Sequence, residues 1–288
     1  MTNHPKFDMT GIRRMDIGIL NDDGIPMGLT GSLANGADSG LYRVEGLKNA
    51  DLSLGNPDVV SIVGDGRFSS AYVFPPGEAP QGTIEGTIFD VDLVAALEST
   101  KKVTKGPWTW AVLGGREAEY VDCMAILQGW AKSKTTGYRG KKLYWGYIVP
   151  KLQIAVLGTT AMQQRQEVNA RLQMVISETD IYPWGEALTL ASDGVTGGLM
   201  IPFSGQYPMT MHTFVGDGTT DTVVLDETPA GEDDASPQML FVYDQTNSAW
   251  LVTTTVYTVT PSTKTLAFTA GNIPAAGVVC GIPYAYVP

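Results

Sequence analysis

The sequence is poor in cysteine and in charge, and it contains no long apolar run. Two cysteines in 288 residues are too few for a disulfide framework, and a reducing compartment explains them. No apolar run reaches the length of a membrane span, and the first residues lack the apolar core of a signal peptide, so we expect a chain that matures without secretion and has no membrane span. Charged residues make up 17% of the chain, below the usual quarter, which indicates surface that something other than water covers.

The residue patterns that carry most catalytic and metal chemistry are also missing. His4 and His212 are the only histidines, and the sequence has no HExxH, no CxxC pair, no GxSxG and no GxxxxGK[ST] motif. Residues 64–66 and 216–218 both read Gly-Asp-Gly, but neither precedes a plausible helix, so they predict turns rather than phosphate-binding loops. We therefore expect a protein that is not an enzyme and that needs no cofactor or metal.

Two further features each leave two interpretations open. The acidic run at residues 226–234 could bind calcium, because hard cations prefer clustered carboxylates, but it lacks the regular ligand spacing of an EF-hand and favours a solvated loop. The tryptophans favour core or interface anchors over a sugar-stacking platform, because they are spread over predicted strands and their flanks. They are Trp108, Trp110, Trp130, Trp145, Trp184 and Trp250.

What is present favours a mainly β fold. The chain has 33 glycines, 17 prolines and 9% aromatic residues, with abundant Val, Ile and Thr. Residues 83–89 alternate as a strand does, and Asp90 then suits the N-cap of a short helix over about residues 90–99. Its apolar stripe holds only Leu93, Val94 and Leu97, too little to stabilise an isolated helix, so we expect it to dock across a sheet.

Further strands are predicted before and after this helix, at residues 14–20, 42–44, 50–54, 59–63, 67–74, 108–113, 119–130, 143–157 and 168–176. Pro150 interrupts the longest strand and predicts an edge or a bulge. Residues 75–82 contain three prolines, so we predict a long projecting hairpin over about residues 64–89, with an ordinary surface loop as the alternative. The Gly- and Asp-rich residues 21–40 predict a loop or an extended arm.

The composition changes near residue 200 and predicts a second domain. Residues 1–200 form the first unit, and residues 206–288 read as consecutive short strands with turn signals. These strands are predicted at residues 211–214, 222–225, 239–243, 249–254, 256–259, 265–268 and 278–286.

The net charge of −11 is unevenly distributed along the chain. Residues 101–151 carry ten Lys and Arg against three acids, whereas residues 206–288 carry eight acids against Lys264 alone. Because the whole chain is acidic, sequence-specific DNA binding is not expected. Complementary patches that meet between copies explain the asymmetry, and two solvated faces without a partner are the alternative.

Residues 46–97 resemble the major tail tube protein of long-tailed bacteriophages. The resemblance rests on the strand KNADLSL, a Gly-Asp-Gly turn, a long hairpin and a strand that leads into DVDLVAAL. The segment GYRGKKLYWGYIVPKLQI, with Gly137, Gly140, Tyr144, Tyr147 and Pro150, is similar to the same family. So is the later strand that leads into SETDIYPWGEAL, and the resemblance covers about residues 10–200.

The last eighty residues resemble an Ig-like β-sandwich that recurs in phage virion proteins. The matching segments are FVGDGTTDTVVLDETPA, MLFVYDQT, VYTVTPSTKTLAFTA and IPAAGVVCGIPYAY. The insertion NSAWLVTT before Tyr257 departs from the usual form and puts the strand pairing there in doubt.

These resemblances imply a tail-tube-type β-sandwich or barrel followed by an Ig-like decoration domain. Copies would pair laterally into closed rings, six-membered in the family, and the rings would stack into the tail tube of a virion assembled in the host cytoplasm. The implied partners are other copies of the chain and the tail tip, terminator and tape-measure proteins. Genome DNA would pass through an acidic lumen without specific binding, and deletion of residues 206–288 is expected to leave tube assembly intact.

The arm at residues 21–40 and the hairpin at residues 67–89 are the expected inter-ring contacts. The residues expected to make inter-ring or inter-subunit contacts are Asp22, Asp23, Arg67, Phe74, Pro75, Pro76, Glu78, Pro80, Lys132, Arg139 and Lys141. A capsid decoration protein, a tail terminator and a host-binding adhesin are the alternatives. Two stacking elements favour the polymer, whereas aromatic side chains clustered on loops would favour the adhesin.

Overall fold

The chain is mainly β, as predicted. The computed structural model describes residues 12–44, 47–53, 58–64, 67–74, 81–86, 91–97, 102–111, 120–132, 140–159, 170–190, 195–196, 200–231, 239–252 and 255–288.

Twenty-two strands and one α-helix follow one another in the described residues. They are β1 (Arg14–Ile19), β2 (Asp38–Gly40), β3 (Tyr42–Val44), β4 (Leu47–Ser53), β5 (Asp58–Gly64), β6 (Arg67–Phe74), β7 (Gln81–Gly86), α1 (Val91–Leu97), β8 (Lys102–Lys105), β9 (Trp108–Ala111), β10 (Asp122–Lys132), β11 (Lys142–Thr159), β12 (Ala170–Ile176), β13 (Thr189–Leu190), β14 (Val195–Thr196), β15 (Ile201–Gly205), β16 (Met209–Val215), β17 (Thr222–Val224), β18 (Tyr243–Asp244), β19 (Ala249–Trp250), β20 (Tyr257–Thr260), β21 (Thr265–Phe268) and β22 (Val279–Ala285).

Eight strands form the first sheet, in the order β3-β1-β10-β11-β12-β7-β4, with β15 also paired to β11. The outermost strands, β3 and β4, are neighbours in sequence, since β3 ends at Val44 and β4 begins at Leu47. Three residue steps span at most about 11 Å, so the two edges of the sheet must approach each other. The sheet is accordingly curled into a half-barrel.

The register between β10 and β11 shows why Pro150 fits in the longest strand. Cys123 pairs with Leu152 and Ala125 pairs with Val149, so β11 has one more residue than β10 over this step. This is a β-bulge, which tolerates a residue without an N–H. The predicted irregularity at Pro150 is confirmed as a bulge.

The helix α1 docks on the first sheet, as predicted. It packs against β9 and β11, and Leu93 and Leu97 belong to the same buried cluster as Met15 and Leu172 of the sheet. Val94 is also buried, and each such side chain contributes about 1.5–3 kcal/mol. Asp90, the predicted N-cap, lies outside the described residues.

The predicted pairing of residues 67–74 with residues 83–89 is wrong. The strand β6 pairs with β5, and Gly64 lies opposite Arg67, which leaves the two-residue Asp-Gly connection typical of a tight hairpin. The strand β7 lies between β12 and β4 and pairs with both, so neither of its edges is free for β6. The hairpin is therefore formed by β5 and β6, and the proline-containing residues 75–80 lie outside the described residues.

The C-terminal strands form two sheets around a separate core. One sheet has the order β19-β18-β22-β16-β2 and the other the order β17-β21-β20. Phe214 and Ile282 of the larger sheet share a buried cluster with Leu266 and Tyr257 of the smaller one, so the two sheets pack face to face. Within the insertion NSAWLVTT, β19 pairs with β18, which resolves the doubtful pairing there.

The arm at residues 21–40 packs on its own chain. Ile25 and Met27 are buried against Val215 of β16, and residues 38–40 form β2, which pairs with β16. The sequence predicted no strand there, because three residues carry too little periodicity. Only residues 25–28 of the arm are buried, whereas Asp22, Asp23 and several residues from Thr30 to Asp38 are exposed, so an inter-ring contact by the exposed part of the arm stays a prediction.

Candidate functional site

The turn after β1 carries the predicted contact residues Asp22 and Asp23. Both are exposed and line a polar cleft of about 800 Å³ at the start of β10. Three more acids, Asp122, Glu178 and Asp180, line the same cleft. Lys151 also lines the cleft, and its Nζ lies 2.9 Å from Oδ2 of Asp122. We call these five acidic residues the acidic end of the sheet.

The opposite end of β10 carries the predicted contact residues Lys132 and Lys141. Lys132 pairs with Lys142 across the strands, and Lys142 Nζ lies 5.5 Å from the ring centre of Trp130. Arg13 covers the same ring, with its guanidinium carbon 4.7 Å from the ring centre. We call Arg13, Lys132, Lys141 and Lys142 the basic end of the sheet, and Arg139 lies outside the described residues.

The two ends lie on the same strands and carry opposite charge. The strand β10 runs from Asp122 to Lys132, and its ten residue-to-residue steps of 3.2–3.4 Å place the ends about 33 Å apart. The structure therefore gathers Asp22 and Asp23 at one end and Lys132 and Lys141 at the other. Head-to-tail packing of two copies would bring opposite charges together.

The remaining predicted contact residues are only partly described. Arg67 and Phe74 are the first and last residues of β6, so they lie at opposite ends of that strand. Pro75, Pro76, Glu78 and Pro80 lie outside the described residues, and their contacts stay a prediction.

A short hairpin formed by β8 and β9 is a surface feature that the sequence reasoning did not select. Lys105 lies opposite Trp108, and the connecting Gly106 has a φ of 63°, which suits the first position of a type II′ turn. Every residue from Val103 to Trp110 is exposed. Trp108 is 71% and Trp110 45% exposed, and their i, i+2 spacing places both on one face of the hairpin. In the sequence, the repeat Trp-Thr-Trp directly after Gly-Pro could have indicated this hairpin.

An aromatic groove of about 450 Å³ lies between the first sheet and the C-terminal sheets. Its lining includes Trp184, Phe203, Met209, Met239, Phe241 and Trp250. Phe241 and Trp250 are 53% and 41% exposed. The indoles of Trp184 and Trp250 both donate to the carboxylate of Glu186, at 2.9 and 3.3 Å. Five separate chain segments form the groove, so no local pattern could have predicted it.

A buried charge cluster connects the first sheet to the C-terminal strands. Asp16 of β1 has no exposed surface, and it accepts hydrogen bonds from Nε of Arg14 at 2.8 Å and Nε2 of Gln128 at 3.1 Å. Arg14 also donates to the hydroxyl of Tyr286, and Arg43 pairs with Glu227. Burial raises the pKa of Asp16, although Arg14 opposes the shift. In the sequence, the carboxylate of Asp16 within the mostly apolar strand RMDIGI could have indicated this buried cluster.

A second buried group fixes the arm to the C-terminal sheet. His212 is 1% exposed, with Nε2 3.6 Å from Oδ1 of Asp38 and Nδ1 3.8 Å from Oδ2 of Asp226. These separations indicate ion pairs rather than hydrogen bonds. Burial lowers the pKa of His212, but the two carboxylates outweigh it, so the net shift is upward. His212 therefore has a structural environment rather than that of a catalytic base.

The described residues offer little reactive or metal-binding chemistry. Burial raises the pKa of both thiols, that of Cys280 to about 12, so both are protonated at neutral pH. No group of three His, Cys, Asp or Glu in the described part of the chain is placed to hold a metal ion. None of the described helices has the length and apolar character that a membrane-spanning helix needs.

No protein-family model matches the chain, and no curated protein matches it. The resemblance to tail tube proteins stays a prediction.

Proposed function

We propose that the protein is a structural subunit of a bacteriophage tail tube. Its copies would form rings, six-membered as in the family that the sequence resembles, and the rings would stack into the tube. The observation that carries this proposal is the charge polarity of the first sheet, with acids at one end of β10 and bases at the other. A subunit with opposite charge at two ends packs head to tail without a limiting size. Closed rings of such subunits would then stack into a tube.

The strand order also supports lateral packing between copies. Among the described strands, β3, β4 and β15 are each paired on one side only. Unpaired strand edges present rows of N–H and C=O groups that another chain can pair with. The mainly β, curled sheet therefore supplies both the edges for a ring and the charged ends for a stack.

The net charge of −11 suits a conduit for DNA. Non-specific adhesion to DNA comes from Lys and Arg contacts to phosphate, so an acidic lumen would let the genome pass. Tail tip, terminator and tape-measure proteins would be the further partners in the virion. We place residues 206–288 outside the tube as a second domain.

Charge reversal tests the head-to-tail contact. Lys132→Glu and Asp23→Lys each set like charges against each other, and each should weaken assembly several-fold, because an exposed ion pair contributes about 0.2–1 kcal/mol. The double variant restores opposite charges and should recover part of the loss. Asp221→Lys makes the same charge change at an exposed position that belongs to neither the acidic nor the basic end of the sheet. This variant should assemble like the parent. Equal assembly of all four variants, measured by sedimentation at low salt, would contradict the proposal.

A host-binding adhesin is the second candidate, because aromatic side chains do cluster on loops. Tyr182 and Trp184 stack with ring centres 4.5 Å apart, and Trp184 lies 6.1 Å from Trp250. Sugar recognition needs polar groups beside such platforms, whereas the lining of this groove is mostly aromatic and apolar. The groove therefore fits an apolar partner better than a glycan.

A further inference from the structure

We infer that the exposed β8–β9 hairpin of one copy inserts its two tryptophans into the aromatic groove of the next copy. This inference rests on the proposed self-assembly and names the two surfaces that meet. It assigns the hairpin as the inserted element and the groove as its receptor, so each copy would use a different surface toward each neighbour.

The hairpin has the properties of an element that is completed by a partner. A two-stranded hairpin is marginally stable in water on its own. The helix α1 packs against β8 and β9, yet every residue from Val103 to Trp110 remains exposed. A tryptophan buries about 150–250 Å² when it is fully covered. Because Trp108 is 71% and Trp110 45% exposed, together they still offer about 170–290 Å². A standard interface buries about 800 Å² per partner, so the hairpin would be the anchor of a larger contact.

The groove has the matching properties. Phe241, Trp250 and Met239 are all more than a third exposed, although large apolar side chains usually form the interior of a protein. Its lining contains no residue of the hairpin, so the two surfaces are not joined within the chain. Hot spots of protein interfaces are enriched in tryptophan and cluster in such pockets.

The charges around the two surfaces are complementary. Residues 101–111 contain Lys101, Lys102 and Lys105 and no acid. The carboxylate of Glu186 joins the two tryptophans of the groove, and the segment that supplies most of the lining, residues 206–288, carries eight acids against one lysine in its sequence. The opposite net charges of the two segments favour another copy of the chain as the occupant.

Insertion of this kind is heterologous, and heterologous contacts permit a mixing experiment. Trp108→Ala removes the inserted side chain, and Phe241→Ala removes part of the receptor. Each variant alone should lose at least tenfold in association, measured by sedimentation of the full-length chain. An equal mixture can form a single intact contact, between the hairpin of one variant and the groove of the other, and should give a 1:1 dimer. Val224→Ala, which removes another exposed apolar side chain, should assemble like the parent.

Two results would overturn the inference. If Phe241→Ala assembles like the parent while Trp108→Ala does not, the hairpin contacts something other than the groove. If oligosaccharides bind the parent and lose binding in Phe241→Ala while assembly is unchanged, the groove is a glycan site.

A photo-crosslink separates this inference from the tail-tube proposal. With benzoylphenylalanine in place of Trp108, irradiation should link the hairpin to peptides that contain Met209 or Met239, identified by mass spectrometry. The link would form in any oligomer that uses this contact, whether or not electron microscopy shows tubes. Links from one hairpin to another hairpin would overturn the inference. If the expected link forms but no tubes are seen, only the tail-tube proposal is overturned.

Discussion

The imidazole of His212 lies 3.6 Å from the carboxylate of Asp38 and joins the arm to the C-terminal sheet. On its other side, Asp226 lies 3.8 Å away. The three groups come from β16, from β2 and from the turn after β17, so their ionisation couples distant parts of the chain.

This arrangement predicts a stability that depends on pH through His212. Because its pKa is raised in the folded state, the contribution is fully present below the ordinary histidine value of about 6.5 and is lost as pH rises through the raised value. The pKa of Asp38 is lowered, so its contribution is present above its ordinary value and is lost as pH falls through the lowered one. The melting temperature of the parent should exceed that of His212→Gln most at about pH 5–6. A difference that grows above pH 8 would contradict this account.

Removal of the carboxylate of Asp16 should destabilise the fold. The variant Asp16→Ala leaves Arg14 without its buried partner, and breaking a buried ion pair in this way costs about 3–5 kcal/mol. Asp16→Asn should cost less, because the amide keeps an acceptor for Arg14 and buries no charge. Urea unfolding monitored by tryptophan fluorescence measures both. Equal loss in the two variants would show that the charge itself is the stabilising element.

Truncation of the docked helix should weaken the first core. Leu97→Ala opens a cavity at a fully buried position and should cost about 2–5 kcal/mol. Val175→Ala on β12 removes a side chain that is 37% exposed and serves as the control, with a loss well below that of Leu97→Ala. Similar midpoints of urea unfolding for Leu97→Ala and the parent would mean that α1 is not part of the cooperative core.

Deletion of residues 206–288 should destabilise the remaining chain, contrary to the expectation from sequence. Met124, Ile126 and Ile148 share a buried cluster with Met211, and Gln128 exchanges two hydrogen bonds with the backbone of Met209. Truncation uncovers these groups and also Ile25 and Met27 of the arm. We expect a lower melting temperature and aggregation on gel filtration. A truncated chain that melts like the parent would show that the two units are independent.

The strands were predictable from local pattern, because alternation and turn residues are local properties. Residues 119–130 and 168–176 were correctly assigned as strands, and the buried stripe of α1 was anticipated from Leu93, Val94 and Leu97. The pairing partner of β6 could not be predicted in this way, because an Asp-Gly turn before it and a proline-rich stretch after it both suggested a hairpin. Whether β6 can pair with β7 depends on the distant strands β12 and β4, which occupy both edges of β7.

The charged ends were partly predictable, whereas the groove was not. Asp22, Asp23, Lys132 and Lys141 were selected from loops and charge runs, but their separation to opposite ends follows from the length and direction of β10. The groove needs Trp184, Phe203, Phe241 and Trp250 to meet from separate segments. Such a meeting depends on the packing of two sheets, which no sequence window contains.

Negative-stain electron microscopy of the full-length protein over a concentration series shows whether its copies polymerise into a tube. At low salt, and with a co-expressed tail-tip complex as nucleus, we expect hollow tubes with a regular axial repeat, which become shorter or rarer as salt screens the charged ends. Monomers or closed oligomers at every concentration, with the nucleus present, would contradict it.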